Sequence, residues 1–173
     1  MHRQRLADVL RGGDRRSIGK SNRVAKIILS DPRRFPELFK CLWDKDPVVR
    51  MRAADAVEKI TVTQPELLKS HKQELLGLLD EAVQIELRWH LALIVPRLEL
   101  SGPERARAAA ALQRYFKDRS SIVKTFALQG LADLARQDAS LRGTAKQILE
   151  QSLRTGAAAM KARARKLLKE LQN

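Results

Sequence analysis

Apolar residues in this chain recur at i, i+3, i+4 and i+7 in one short window after another, and nowhere alternate with polar residues over the length of a strand, so the pattern predicts an all-α fold. In the clearest window Val49, Ala53, Ala56, Val57 and Ile60 fall on one stripe at 3.6 residues per turn. The stripe follows Asp46-Pro47, a capping aspartate and a first-turn proline. Asp31-Pro32 gives the same start signal to the helix before it, which carries Phe35, Leu38, Phe39 and Leu42. Further helices are predicted over about 65–79, 81–98, 103–116, 120–136, 140–153 and 156–171, with Pro96 kinking or ending the second of these. At the amino end a helix over about 2–10 runs into Arg11–Lys20, whose three glycines and mixed charges read as a loop. Helix resumes at Ser21, with Val24, Ile27 and Ile28 on one side.

Consecutive helices pair into units that repeat. Leu42–Ile60, Asp80–Pro96, Asp118–Leu134 and Thr155–Leu171 superpose at a period of roughly 36 to 38 residues, the spacing of helical-pair repeats. The second helices are aligned on Val49, Ile85, Val123 and Met160. Asp44-Lys45-Asp46-Pro47-Val48-Val49-Arg50-Met51-Arg52-Ala53-Ala54 resembles the turn and second helix of HEAT repeats, in which a turn aspartate, a valine followed by a basic residue, and paired alanines recur. Repeat three keeps Asp118, Val123, Lys124 and Ala127, and repeat four keeps Met160, Lys161 and Ala164; repeat two has Glu86 and Trp89 instead. The resemblance implies an armadillo-like α-solenoid of about four HEAT-like pairs within a single domain, 1–173. The pairs cover 32–62, 65–98, 103–137 and 139–171, and residues 1–31 supply cap helices and a basic loop. Whether 1–31 is a fixed cap or a mobile arm stays open. In such arrays the basic residue after the valine bonds turn aspartates, here Asp46 or Asp118; a ladder of phosphate contacts is the competing role for Arg50, Lys124 and Lys161.

Only 4% of residues are aromatic, so the core must be built from Leu, Ile, Val and Ala. The single cysteine, Cys41, excludes an intramolecular disulfide, and three scattered histidines form no metal-ligand cluster; a reducing, cytoplasmic setting follows, with no cofactor or metal expected. No window reaches the ~18 apolar residues of a membrane span, and the charged amino terminus is unlike a secretory signal. The formal charge of +14 attracts nucleic acid, anionic surfaces or acidic proteins. It is uneven: residues 1–60 carry 15 Lys and Arg against 8 Asp and Glu, residues 61–120 carry 9 against 8, and residues 121–173 carry 10 against 4, so the two ends are basic.

Gly13 to Ser21 is close to a phosphate-binding loop, but five residues separate Gly13 from Gly19 where the motif has four, and no hydrophobic strand precedes it. A basic turn is the plainer reading. In the helix over 81–98, Ile85, Trp89, Ala92 and Leu93 are taken as the core stripe, which puts Leu87 and Ile94 almost opposite it. Met51, Leu87, Leu91 and Ile94 then form a concave apolar strip for a partner helix or a second copy of the chain. The competing reading is a central helix that buries a wider stripe. In the basic tail, Lys161, Arg163, Arg165, Lys166 and Lys169 line the polar side of a terminal helix. Trp43, Asp44 and Trp89 invite comparison with HEAT-like alkylpurine DNA glycosylases, whose chemistry would need all three in one cleft.

The leading expectation is therefore a non-enzymatic scaffold or adaptor that holds a protein partner on its concave face. The alternative is a nucleic-acid-binding protein that grips phosphates without reading sequence. Its polyanion candidates are Arg50, Lys124, Lys161, Arg163, Arg165 and Lys166. A glycosylase is a distant third. No membrane partner is expected, and self-association is left open.

Overall fold

The computed structural model describes residues 4–172, and among these every regular element is helical. The residues before Gln4, where the predicted first helix begins, lie outside the described residues. The chain divides into two compact units, 1–70 and 71–173.

In the first unit α1 (Leu6–Leu10) and α2 (Ser21–Ser30) precede α3 (Phe35–Lys40) and α4 (Pro47–Thr63). The helix predicted from Pro32 is broken into a 3-10 turn (Pro32–Arg34), α3, and a second 3-10 turn (Cys41–Trp43). Pro36 sits in the first turn of α3, so helix can start there but cannot continue from further back. The α4 start is as predicted: the Asp46 carboxylate accepts the Val48 N–H at 2.9 Å with Pro47 behind it. Val49, Ala53, Ala56, Val57 and Ile60 are all buried. Polar groups fasten α2 to this helix. The buried Ser21 hydroxyl donates to the Asp55 carboxylate, which also takes Lys59 Nζ at 2.5 Å, and Lys59 reaches Asn22 Oδ1 at 2.7 Å. At the other end the Leu6 N–H donates to Glu37 Oε1 at 2.8 Å, so α1 and α2 pack as part of the unit.

The second unit contains α5 (Lys72–Glu81), α6 (Ile85–Ile94), α7 (Gly102–Arg114), α8 (Ser121–Gln137), α9 (Arg142–Thr155) and α10 (Ala158–Gln172). The helix predicted over 65–79 is a 3-10 segment, Pro65–His71, followed by α5. Pro96 ends α6 as anticipated, since its missing N–H passes the chain into a 3-10 turn, Val95–Arg97. Ser101 and Glu104 exchange side chains and backbone N–H groups in a capping box that starts α7. The α6–α8 contact is unusually close because position 130 is glycine: a Cβ there would collide with the Ala92 carbonyl oxygen. Leu128, Ala132, Leu149, Met160, Ala164 and Leu167 close one core between α8, α9 and α10.

Candidate functional site

The predicted apolar strip is not a surface. Leu87 is 3% exposed, Leu91 and Ile94 are 0% exposed, and Met51 is half-buried. Conversely Ile85, assigned to the core, is exposed at the start of α6, and Trp89 and Leu93 are only half-buried. The buried residues Leu87, His90, Leu91 and Ile94 fall at i, i+3, i+4 and i+7, so α6 is rotated from the predicted phase. By burial, Leu87 rather than Ile85 takes the place on α6 that Val49 has on α4, a shift of two residues from the predicted alignment, and the spacings between Val49, Leu87, Val123 and Met160 are 38, 36 and 37 residues.

With that shift a basic residue, Arg88, follows Leu87 on α6 as Arg50 follows Val49 on α4. Arg50 Nη1 donates to the Asp44 carbonyl, six residues back, at 2.7 Å, and Arg88 Nε donates to the Ala82 carbonyl, also six residues back, at 2.6 Å. Arg88 Nη1 also reaches the Asp118 carboxylate at 2.5 Å. Burial pushes the Asp118 carboxyl up, but the Ser120 N–H and the Arg88 guanidinium outweigh it and hold the group below the ordinary range. Arg50 is therefore held by the main chain of its own turn, through the carbonyls of Asp44 and Lys45.

The other polyanion candidates divide in two. Arg163 donates to Gln129 Oε1 at 2.7 Å and lies over the Phe126 ring, and Lys166 is 3.8 Å from Glu170. The side chains of Lys124, Lys161 and Arg165 make no hydrogen bond or ion pair among the described residues, and Arg165 is exposed.

A basic surface of the first unit lies elsewhere, and its scaffold is the loop that resembles a phosphate-binding motif. Arg52 projects from α4 into that loop and is 2% exposed. Its Nε donates to the Ser17 carbonyl at 3.1 Å, its Nη1 to the carbonyls of Leu10 at 2.6 Å and Gly12, and its Nη2 to that of Asp14 at 2.7 Å. The loop thus turns carbonyl oxygens inward onto a cation, the opposite polarity to a phosphate cradle, which aims N–H groups inward. Gly19 completes the wrap at φ +52°, where a Cβ would lie 2.6 Å from Arg52 Cζ.

Held in this way, the loop and α2 display Arg15, Arg16, Lys20, Arg23 and Lys26, all exposed and none with a side-chain hydrogen bond or ion pair among the described residues. No acidic residue occurs between 15 and 30. By contrast many carboxylates are engaged internally: Asp44 with Arg11, Asp80 with Arg107 and Arg114, Asp133 with Arg136, and Asp138 with Arg105. Sequence reasoning weighs this segment as a nucleotide site against a basic turn and sees in Arg15-Arg16-Ser17 a run that could attract a phosphate or a kinase, but it does not assemble the five cations into one surface. The signal is present as an acid-free run between Arg15 and Ser30.

Reactive groups are scarce. Burial first, then Asp44 and Glu37, push the Cys41 thiol up to about 11, and its Sγ contacts the Glu37 carbonyl at 3.4 Å. The Asp44 carboxylate accepts the Asp46 N–H at 2.9 Å and Arg11 Nη2 at 3.3 Å, so it is a turn cap in an ion pair. Trp43 is 46% exposed beside Phe39, with ring centroids 5.3 Å apart, while Trp89 packs edge-on to Phe126. Among the described residues no group of three or more His, Cys, Asp and Glu could hold a metal ion, and no helix is long and apolar enough to cross a membrane. Comparison of the sequence with protein-family models and with curated proteins finds no match.

Proposed function

We propose that this chain is a non-enzymatic HEAT-like helical-repeat module that binds a polyanion, the phosphate backbone of nucleic acid, without reading its sequence. The observation that carries the reading is the basic face of the first unit: five exposed, unpaired cations in residues 15–26, with no carboxylate among them and a backbone fixed by Arg52. Fixing the loop in advance lowers the ordering cost that a flexible basic arm would meet on binding. The solenoid part of the proposal is supported by the 38, 36 and 37 residue spacings of the second helices and by the matching Arg50 and Arg88 contacts. A protein partner on the apolar strip has lost its support, because Leu87, Leu91 and Ile94 are buried.

The test is a titration of labelled duplex DNA at several salt concentrations, with the wild type and a variant carrying Gln at positions 15, 16, 20, 23 and 26. Each phosphate contact contributes about 0.9 to the slope of log K against log salt. The variant should therefore lose affinity and up to about 4.5 units of slope, equally for unrelated sequences. Negligible binding of the wild type at low salt removes the proposal. Preferential binding to anionic vesicles over DNA, abolished in the same variant, transfers the basic face to a membrane surface.

A further inference from the structure

A second site lies in the other unit, where α8, α9 and α10 leave an open groove of about 450 Å³. Phe116, Ile148 and Met160 supply apolar lining, and Arg119, Ser121 and Lys124 supply polar lining. No Asp or Glu lines it. Neither the Arg119 nor the Lys124 side chain makes a hydrogen bond or ion pair among the described residues. The nearby Asp118 bonds to Arg88 Nη1 and the Ser120 N–H and also feels the Lys124 charge, so one carboxylate is set against three cations and the groove keeps a positive excess.

We infer that this groove binds a small phosphomonoester bearing an apolar group, with the phosphate on Arg119 and Lys124 and the apolar body against Phe116, Ile148 and Met160. Two cations and a hydroxyl match a dianion with three acceptor oxygens better than a single carboxylate. The apolar wall makes inorganic phosphate alone an incomplete ligand, because the ring or chain it lacks is what would cover Ile148 and Met160. The groove belongs to a different unit from the basic face of residues 15–26 and stands whether or not that face binds nucleic acid.

The experiment follows the methyl resonances of Ile148 and Met160 in the full chain as phenyl phosphate is added. A ligand of about eleven non-hydrogen atoms should saturate in the millimolar range. Inorganic phosphate and benzyl alcohol should each bind at least about tenfold more weakly, since each supplies one half of the contact. The Arg119→Ala, Lys124→Ala double variant should lose at least about tenfold in affinity while keeping its free-state methyl spectrum, because both side chains are outside the core. A parallel arm uses vesicles containing phosphatidic acid: co-sedimentation that the double variant abolishes assigns the same chemistry to a lipid headgroup. Absence of saturation with both probes, or binding that the double variant retains, overturns the assignment.

Discussion

Replacing Arg52 by methionine keeps a stem of similar length in the core but withdraws every donor from the carbonyls of Leu10, Gly12, Asp14 and Ser17. Each bond from a charged donor is worth about 1.5–3 kcal/mol, yet the four cannot simply be summed. The loop can open and return its carbonyls to water, so the loss is limited to the free energy of detaching residues 11–20 from α4. Loss of one partner from a buried charged network costs about 3–5 kcal/mol, and partial rehydration brings the expectation for Arg52→Met to about 3 kcal/mol. Arg52→Lys keeps the charge but not the fork, since one ammonium cannot span four separated acceptors, and should cost about 2 kcal/mol. Gly19→Ala sharpens the test. In the wild type the new Cβ would lie 2.6 Å from Arg52 Cζ as well as at positive φ. In the Arg52→Met background the collision is relieved and only the backbone strain of about 1–2 kcal/mol remains, so the double-mutant cycle should show a coupling near about 1 kcal/mol. Urea denaturation supplies the energies. Hydrogen exchange at the Ser17 and Gly19 amides, bonded to the Asp14 carbonyl and the Ser17 hydroxyl, locates the loss in the loop. An Arg52→Met variant within about 0.5 kcal/mol of wild type with unchanged protection at those amides would refute the account.

Three further outcomes are expected. Gly130→Ala drives a methyl into the Ala92 carbonyl oxygen, so α6 and α8 must separate, destabilising the second unit by about 2–3 kcal/mol in denaturant titration; a change under about 0.5 kcal/mol contradicts the close packing. The Ser101 N–H first, and then Lys72, hold the Glu104 carboxyl down at about 2. Its folded value is below its unfolded one, so its stabilisation is complete above about 4.5 and disappears as pH falls toward 2. Glu104→Gln should flatten that part of the acid limb of thermal stability, and an unaltered limb argues against the cap. Cys41, buried with its thiol raised to about 11, should resist iodoacetamide at about pH 8 in the folded protein and react on unfolding; rapid native labelling by mass spectrometry would place it at the surface instead.

The parts of the structure legible in the sequence are those where local chemistry and periodicity agree. Asp46-Pro47 and the stripe from Val49 to Ile60 specify both the start of α4 and its buried side, and Pro96 marks the end of α6. The phase of α6 is not legible from its pattern, because Ile85, Leu87, Trp89, Leu91, Leu93 and Ile94 leave hardly any polar face to orient it. Arg88 is the available clue, since its place after an apolar residue matches Arg50 after Val49. The 3-10 breaks around α3 depend on Pro36 and on packing that a window average cannot see. The role of Arg52 is hidden for a different reason. Its partners are main-chain oxygens some 35 to 42 residues away, and main-chain oxygens have no letter in a sequence.

The same property leaves the loop's exposed side chains open to change. A clasp made through carbonyl oxygens constrains the path of the chain and leaves the side chains of Arg15, Arg16 and Ile18 outside the bonds that hold it. Those positions can be exchanged, reversed in charge or lengthened while the glycines and Arg52 keep the backbone in place. In evolution or in the laboratory, the specificity of this face can therefore be rewritten independently of its fold, much as a setting holds one stone or another.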